Sequence, residues 1–450
     1  EEPRLQKEDR LDGRCLRRVP GADAPLPSPL GRGAGGEGGW PSAADLDRVA
    51  PDHLVYLTAK SLHAAWVNSA ALRMAGVGAG SPDPENGKIQ RDPSGRPTGI
   101  LLESAMRLVE DKLPQPHPDR IAAAMEKAQP VLWRMGLTGL HDFDRRDSFV
   151  ALQSLHAQNK LRLRITKNIP VESLEHAAAL GLRTGFGDDW LRIGSVKAFM
   201  DGALGPQTAA MIQPYAGQPA NRGILNMDAE QLFEHGRRAA DSGLGMTVHA
   251  IGDRANHEVL NAYQQLRGYE AEQGLPHLRH RIEHVQVLHP DDTARLAELN
   301  VVASMQPIHA TSDMLAADRF WGDRSAHAYA WRTQLDRGAR LAFGSDAPVE
   351  SPNPFWGLHA AHTRRRADGS PGPDGWYPAE KLTLAEALEA YTVGPAYAAY
   401  AEHRMGRLAP GYLADLIVLA QDPFACDPDE LLKMESAATM VGGEWVWTSL

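Results

Sequence analysis

SVKAFMDG (195–202), MTVHAIGD (246–253), RIEHVQVL (281–288) and LAFGSDAP (341–348) share one design. In each, an apolar, strand-like run delivers a residue of metal-ligand type: Lys197, His249, His284 and Asp346. Residues delivered from successive strand ends meet only if those strands lie side by side. The parallel (β/α) barrel does this, because its chemistry gathers at the C-terminal ends of its strands. His249 and His284 are 35 residues apart (284 − 249), about the length of one βα unit. The 52 residues between Lys197 and His249 leave room for a loop, and the 62 between His284 and Asp346 for a further strand. No His-x-His pair occurs anywhere in the chain to complete such a site.

Working outward, strands and helices alternate from Arg120 onward. A helix IAAAMEKAQPVLWRMG with an internal proline precedes strands in LTGLHDF, LRLRITKNI, LRIGSVKAFM, GMTVHAI, HRIEHVQV, NVVASMQP and RLAFGSDA. Alternation of this kind predicts an α/β fold with a parallel sheet covered by helices, and seven strands suit a barrel better than a compact open sheet. Upstream, SAADLDRVA reads as a helix capped by Ser42, LVYLT as a short strand, and the run from Ala64 to Leu72 as a helix ending near Gly76. Residues 81–99 read as a turn-rich insertion with a hairpin. After Leu382 a helix is followed by GRLAPGYLADLIVLA, read as a turn and a β-hairpin, and by MVGGEWVW, read as a strand. Residues 1–39 form a leader so rich in Pro and Gly that disorder is expected. Its Gly31, Gly33 and Gly36 satisfy G-x-G-x-x-G without a preceding strand or following helix, so no dinucleotide site is read there.

The 450 residues carry a net charge of −10, which argues against nucleic acid as the main partner. No apolar stretch is long enough to span a bilayer, and cytoplasmic location is the default expectation. Two cysteines, Cys15 and Cys426, exclude a cysteine zinc site and a disulfide scaffold. There is no P-loop, and His257-Glu258 lacks the second histidine of an H-E-x-x-H motif.

Taken singly, each candidate ligand has an ordinary explanation. A lone histidine at a strand end is usually hydrogen-bonded in the core, a lysine is usually solvated, and Asp346 in GSDAP could cap a turn. The order and local wording change that balance. TVHAIGDRA, HRIEHVQ, SMQPIH, GSDAPV and GRLAPGYLADLIVL, with LHAAWVNSAALRMAGV and VKAFMDGALGPQTAAM, together resemble the amidohydrolase superfamily. Within it they are similar to the YtcJ-like branch, amidohydrolase family 3, which includes N-substituted formamide deformylases. The resemblance runs from about Trp40 to Trp447.

The resemblance implies a TIM-like (β/α)8 barrel over residues 40–400, with residues 401–450 belonging to a small β-sandwich. It implies divalent metal, zinc in the first place and one or two ions, held by a carbamylated Lys197 with His249, His284 and Asp346. His63, Asn68, Asp201, Asp253 and His309 are implied as residues of the substrate pocket or its surroundings. The implied reaction is hydrolysis of a non-peptide carbon–nitrogen bond of a small amide or formamide by metal-activated water, with Asp346 as base. Membrane and nucleic acid are not expected partners, and a homo-oligomer is left open. The family also opens with a strand ending in His-x-His, which has no counterpart here. A barrel lacking its first strand is therefore expected, with only a remnant of the sandwich. The alternative is a truncated, non-catalytic fragment or a binding protein.

Overall fold

The computed structural model describes residues 40–449 and divides into two compact units after Pro116. The leader and its glycine motif lie outside the described residues. In the first unit, Ser42 caps the helix Ala43–Asp47, its N–H and Oγ each 2.8 Å from Asp45 Oδ2. Strands β1 (Tyr56–Thr58), β2 (Ala64–Val67), β3 (Gly87–Arg91) and β4 (Pro97–Glu103) form an antiparallel sheet in the order β1-β2-β4-β3. The hairpin expected within 81–99 is β3–β4. One element differs from its reading: residues 64–67 are a strand, and the helix begins only at Ser69 and runs to Ala75. Alanine-rich composition favours a helix, but β2 pairs on both sides and all four of its residues are buried, so tertiary pairing overrides propensity.

The second unit is built on seven parallel strands in sequence order: β5 (Gly139–Asp142), β6 (Arg164–Pro170), β7 (Leu191–Phe199), β8 (Met246–Ala250), β9 (Arg281–His284), β10 (Val302–Met305) and β11 (Leu341–Phe343). These are the seven strands read from the sequence. β8, β9 and β10 are buried throughout, as expected of a parallel sheet covered on both faces. The sheet curls: Arg281 Nη1 on β9 lies 2.7 Å from His141 Nδ1 on β5, four strands away. This is the α/β, TIM-like architecture. The helix Leu384–Ala398 meets both terminal strands. Its Gly394 lies so close to β11 that a Cβ there would sit 2.2 Å from Leu341 O, and its Pro395 carbonyl bonds to His141 of β5.

At the C-terminus a three-stranded antiparallel sheet forms from β12 (Leu416–Leu419), β13 (Ser436–Val441) and β14 (Glu444–Thr448). Here too the reading needs correction, because the hairpin is β13–β14 and LADLIVLA supplies one strand. Gly442 and Gly443, at φ +62° and +83°, supply the left-handed residues that a two-residue hairpin turn demands. The sheet packs on the helix Pro118–Arg134, where Thr439 Oγ1 donates to Trp133 O at 2.6 Å. Among the described residues no helix is long and apolar enough to cross a membrane.

Candidate metal centre

Register decides which side chains can meet. His249 on β8 stands opposite Phe199 of β7 and Glu283 of β9, and Ala250 opposite His284. His284 ends β9 with φ +81°, and Asp346, just beyond β11, has φ +58°. For residues with a Cβ this backbone costs roughly 1–3 kcal/mol each, and such strain gathers at functional sites. His309 enters from the first turns of the helix Pro307–Trp321, immediately after β10.

His284, His309 and Asp346 converge, each offering one ligand atom within 4.8 Å of the others. His309 Nε2 lies 3.6 Å from Asp346 Oδ2, and the two imidazoles stack with centroids 5.8 Å apart. His249 packs edge-on against His284 with centroids 4.5 Å apart. Its Nε2 lies 2.9 Å from Gly202 O, so a metal would have to be taken through Nδ1. Lys197 is buried, its Nζ 5.0 Å from the Phe143 ring centroid and 4.5 Å from that of Phe199. Burial lowers its pKa to about 8, with Arg281 acting the same way and Glu283 and Asp346 opposing. Burial also pushes His284 down to about 3, aided by Lys197 and His309 against Asp346, so its imidazole is neutral.

Behind these residues lies a charge network invisible in the sequence. Glu283, 4% exposed, accepts from Thr247 Oγ1 at 2.6 Å and Ser304 Oγ at 2.5 Å, and pairs with Arg281 Nε at 2.8 Å. Burial alone would raise its pKa; Arg281, Lys197 and the two hydroxyls outweigh that and hold it low. Two glutamines belong here as well: His284 Nδ1 donates to Gln306 Oε1 at 2.8 Å, and the Gln286 amide meets His309 Nδ1 at 3.2 Å. Both lie inside motifs quoted above, yet an uncharged amide gives no sign of its role until its partner is known.

The remaining candidates are placed differently. Asp201 is fully buried and accepts backbone N–H groups from Ala210, Ile251 and Gly252 at 2.8–3.0 Å, with His249 Nε2 3.5 Å away. Asp253 accepts from Ile212 and Arg254 N–H, and burial raises its pKa. The two carboxylates pin the loop after β7 to the end of β8, which fixes the position of His249. In the first unit, His63 Nδ1 is 2.8 Å from Glu103 Oε2. Asn68 caps the helix Ser69–Ala75, accepting from Ala71 N and Val55 N and donating to His53 O and Ala50 O. Every hydrogen-bonding position of that amide is taken.

Comparison with known proteins follows the same outline. A family model described as "Amidohydrolase family" matches residues 36–447. The Bacillus subtilis (strain 168) protein named "Putative amidohydrolase YtcJ" is 35% identical over 411 residues, covering 90% of this chain and 76% of its own. N-substituted formamide deformylase of Arthrobacter pascens is 28% identical, over 90% of this chain and 75% of its own. The crystal structure of an uncharacterized metal-dependent hydrolase from Pyrococcus horikoshii OT3 superposes with a TM-score of 0.70 at 27% identity, covering 86% of this chain and 75% of that one. With its parallel sheet, the cluster at the strand ends and a family match over nearly its whole length, the chain belongs to the amidohydrolase family.

Proposed function

We propose that this protein is a metal-dependent hydrolase of a carbon–nitrogen bond other than a peptide bond, in a small amide or formamide, with Asp346 as the base. The observation that carries the reading is the meeting of His284, His309 and Asp346 at the C-terminal ends of β9, β10 and β11, the face on which barrels of this type do their chemistry. The formamide deformylase among the relatives supports the bond type.

The residues present fit a divalent ion of the zinc class. The donor set is imidazole and carboxylate, and His309 Nε2 is buried with no hydrogen-bond partner, as a ligand nitrogen awaiting a cation would be. His284 and Asp346 would hold the ion, with Lys197 and His249 beside them as the further donors implied by the family resemblance. When bound, such an ion supplies Lewis acidity, lowering the pKa of water and polarising a carbonyl. The chain's own residues supply the rest. Gln306 keeps the His284 proton on Nδ1 and directs Nε2 into the site. Asp346, 35% exposed at its side chain, is reachable from solvent, so its carboxylate can take a proton from water and release it to the leaving nitrogen. Phe143 and Phe199 screen the Lys197 amine from water, an environment suited to its conversion by CO2 into a carbamate.

The test is a hydrolysis screen on a panel of N-substituted formamides and simple amides, run with the metal-loaded protein, the chelated protein and Asp346→Asn. Turnover that needs metal and disappears in Asp346→Asn is expected. Turnover that survives in Asp346→Asn would remove Asp346 as the base, and none on any member with metal bound would refute the bond class.

A further inference from the structure

We propose that the N-terminal end of the parallel sheet carries a second site, for a small phosphate-bearing molecule, built by Arg340, His403 and Arg407.

The site is a cavity of about 370 Å3 whose lining includes Arg340, Tyr397, Glu402, His403, Arg407 and Tyr412. Its size lies at the lower end of the range for small-molecule pockets, about 300–1,000 Å3. Arg340 directly precedes β11, and Asp346 follows the other end of that strand, so the cavity and the metal centre lie at opposite ends of the sheet. Tyr397 comes from the last turn of the helix Leu384–Ala398, and Arg407 and Tyr412 from the segment GRLAPGYL that leads into β12. That segment takes no part in the metal centre.

The walls are tied together, and the cavity's carboxylate is already neutralised. Glu402 gives both of its oxygens to Arg279, at 2.7 and 2.8 Å. The Arg279 guanidinium also lies 3.8 Å from the Tyr397 ring centroid, and that of Arg340 lies 4.2 Å from the same centroid. Tyr412 Oη donates to the Glu402 carbonyl at 3.0 Å. Two guanidiniums and one imidazole are left over. Among the described residues Arg340, His403 and Arg407 have no ion pair of their own, whereas their neighbours Arg279, Arg332 and Arg404 each pair with a carboxylate. All three leftover side chains are exposed and reachable from solvent. Two like charges lining one cavity repel, and an anion between them relieves that repulsion.

The number and kind of donors select the anion. One guanidinium matches a carboxylate through two parallel hydrogen bonds. Two guanidiniums with an imidazole beside them suit a phosphate monoester, which carries nearly two negative charges and three acceptor oxygens. The volume leaves room for an organic part beside the phosphate.

The test is calorimetric titration of the full chain with inorganic phosphate, glycerol 1-phosphate and acetate. It is repeated with chelator, so that uptake by an ion at the other end of the sheet is recognised. Arg340→Gln and Arg407→Gln, each checked for native circular dichroism, are compared with a change at an exposed arginine outside the cavity, Arg337→Gln. Saturable one-to-one binding is expected, unaffected by chelator, weakened by sodium chloride, and as tight for glycerol 1-phosphate as for free phosphate or tighter. Acetate should bind at least about tenfold more weakly. Each cavity variant should weaken phosphate binding about 10- to 100-fold, the loss of a charge-assisted hydrogen bond, and Arg337→Gln should change it less than about twofold. The site is overturned by absence of saturable binding, by loss of binding on chelation, or by acetate or free phosphate binding better than the ester. It is equally overturned if Arg340→Gln and Arg407→Gln bind like the parent, or if Arg337→Gln loses as much as they do.

Discussion

His284 donates from Nδ1 to Gln306, and that single bond decides which nitrogen faces the site. Gln306→Leu should therefore lower metal affinity about 10- to 100-fold without unfolding the protein, as calorimetry would show. Unchanged affinity would mean that packing against His249 and His309 orients the ring unaided. Glu283 acts at the same scale but on stability. It is buried against Arg281, and Glu283→Ala leaves that guanidinium without its carboxylate, at a cost of about 3–5 kcal/mol in urea unfolding. A loss below about 1 kcal/mol would show that His141 and Thr247 satisfy Arg281 alone. The candidate ligands were legible in the sequence because each ends an apolar run with a residue type that rarely sits there. Gln286, Gln306 and the network around the Arg281–Glu283 pair were not, because the partners His141, His284, Ser304 and His309 lie 21 to 140 positions away.

At the scale of elements, the helix Leu384–Ala398 links the two terminal strands of the sheet, and two of its features are testable. Gly394→Ala would raise intrinsic helix propensity, yet its Cβ would meet Leu341 O at 2.2 Å. The contact should win, with a loss of about 1–3 kcal/mol; a gain in thermal midpoint would mean the helix shifts freely on β11. At the helix start, Thr383 and Glu386 form a capping box. Arg332 first, then Thr383, hold the Glu386 carboxyl at about 2, below its ordinary 4.5. Because the folded pKa is depressed, its contribution is fully present above about pH 4.5 and is lost as pH falls through about 2. Glu386→Gln should lower the thermal midpoint at neutral pH, and the difference from the parent should shrink as pH is lowered below about 4.5. A difference independent of pH would assign the effect to lost packing. Two elements escaped the sequence reading at this scale. The alanine-rich β2 looks helical until its partners on both sides are known, and the Gly442–Gly443 turn lay inside a run read as a single strand.

For the whole molecule, metal and folding are coupled by mass action. An ion that binds only the folded state stabilises it by about 2.7 kcal/mol at a hundredfold excess over Kd. The thermal midpoint should rise with added zinc and fall on chelation; a midpoint indifferent to zinc that calorimetry shows to be bound would mean the unfolded chain binds it equally well. The sequence by itself determined the α/β class, the seven strands and their order, and the family, because hydrophobic periodicity and strand-end motifs are local and survive without coordinates. Only the tertiary structure decided which donors meet. The sequence reading takes His249 and His284 as ligands and His309 as a pocket residue, yet register, a left-handed turn at His284 and two crossed glutamines bring His284 and His309 to Asp346 and turn His249 toward a backbone carbonyl. Distances of a few ångströms between strand ends depend on how the sheet curls, and that is a property of all its strands together.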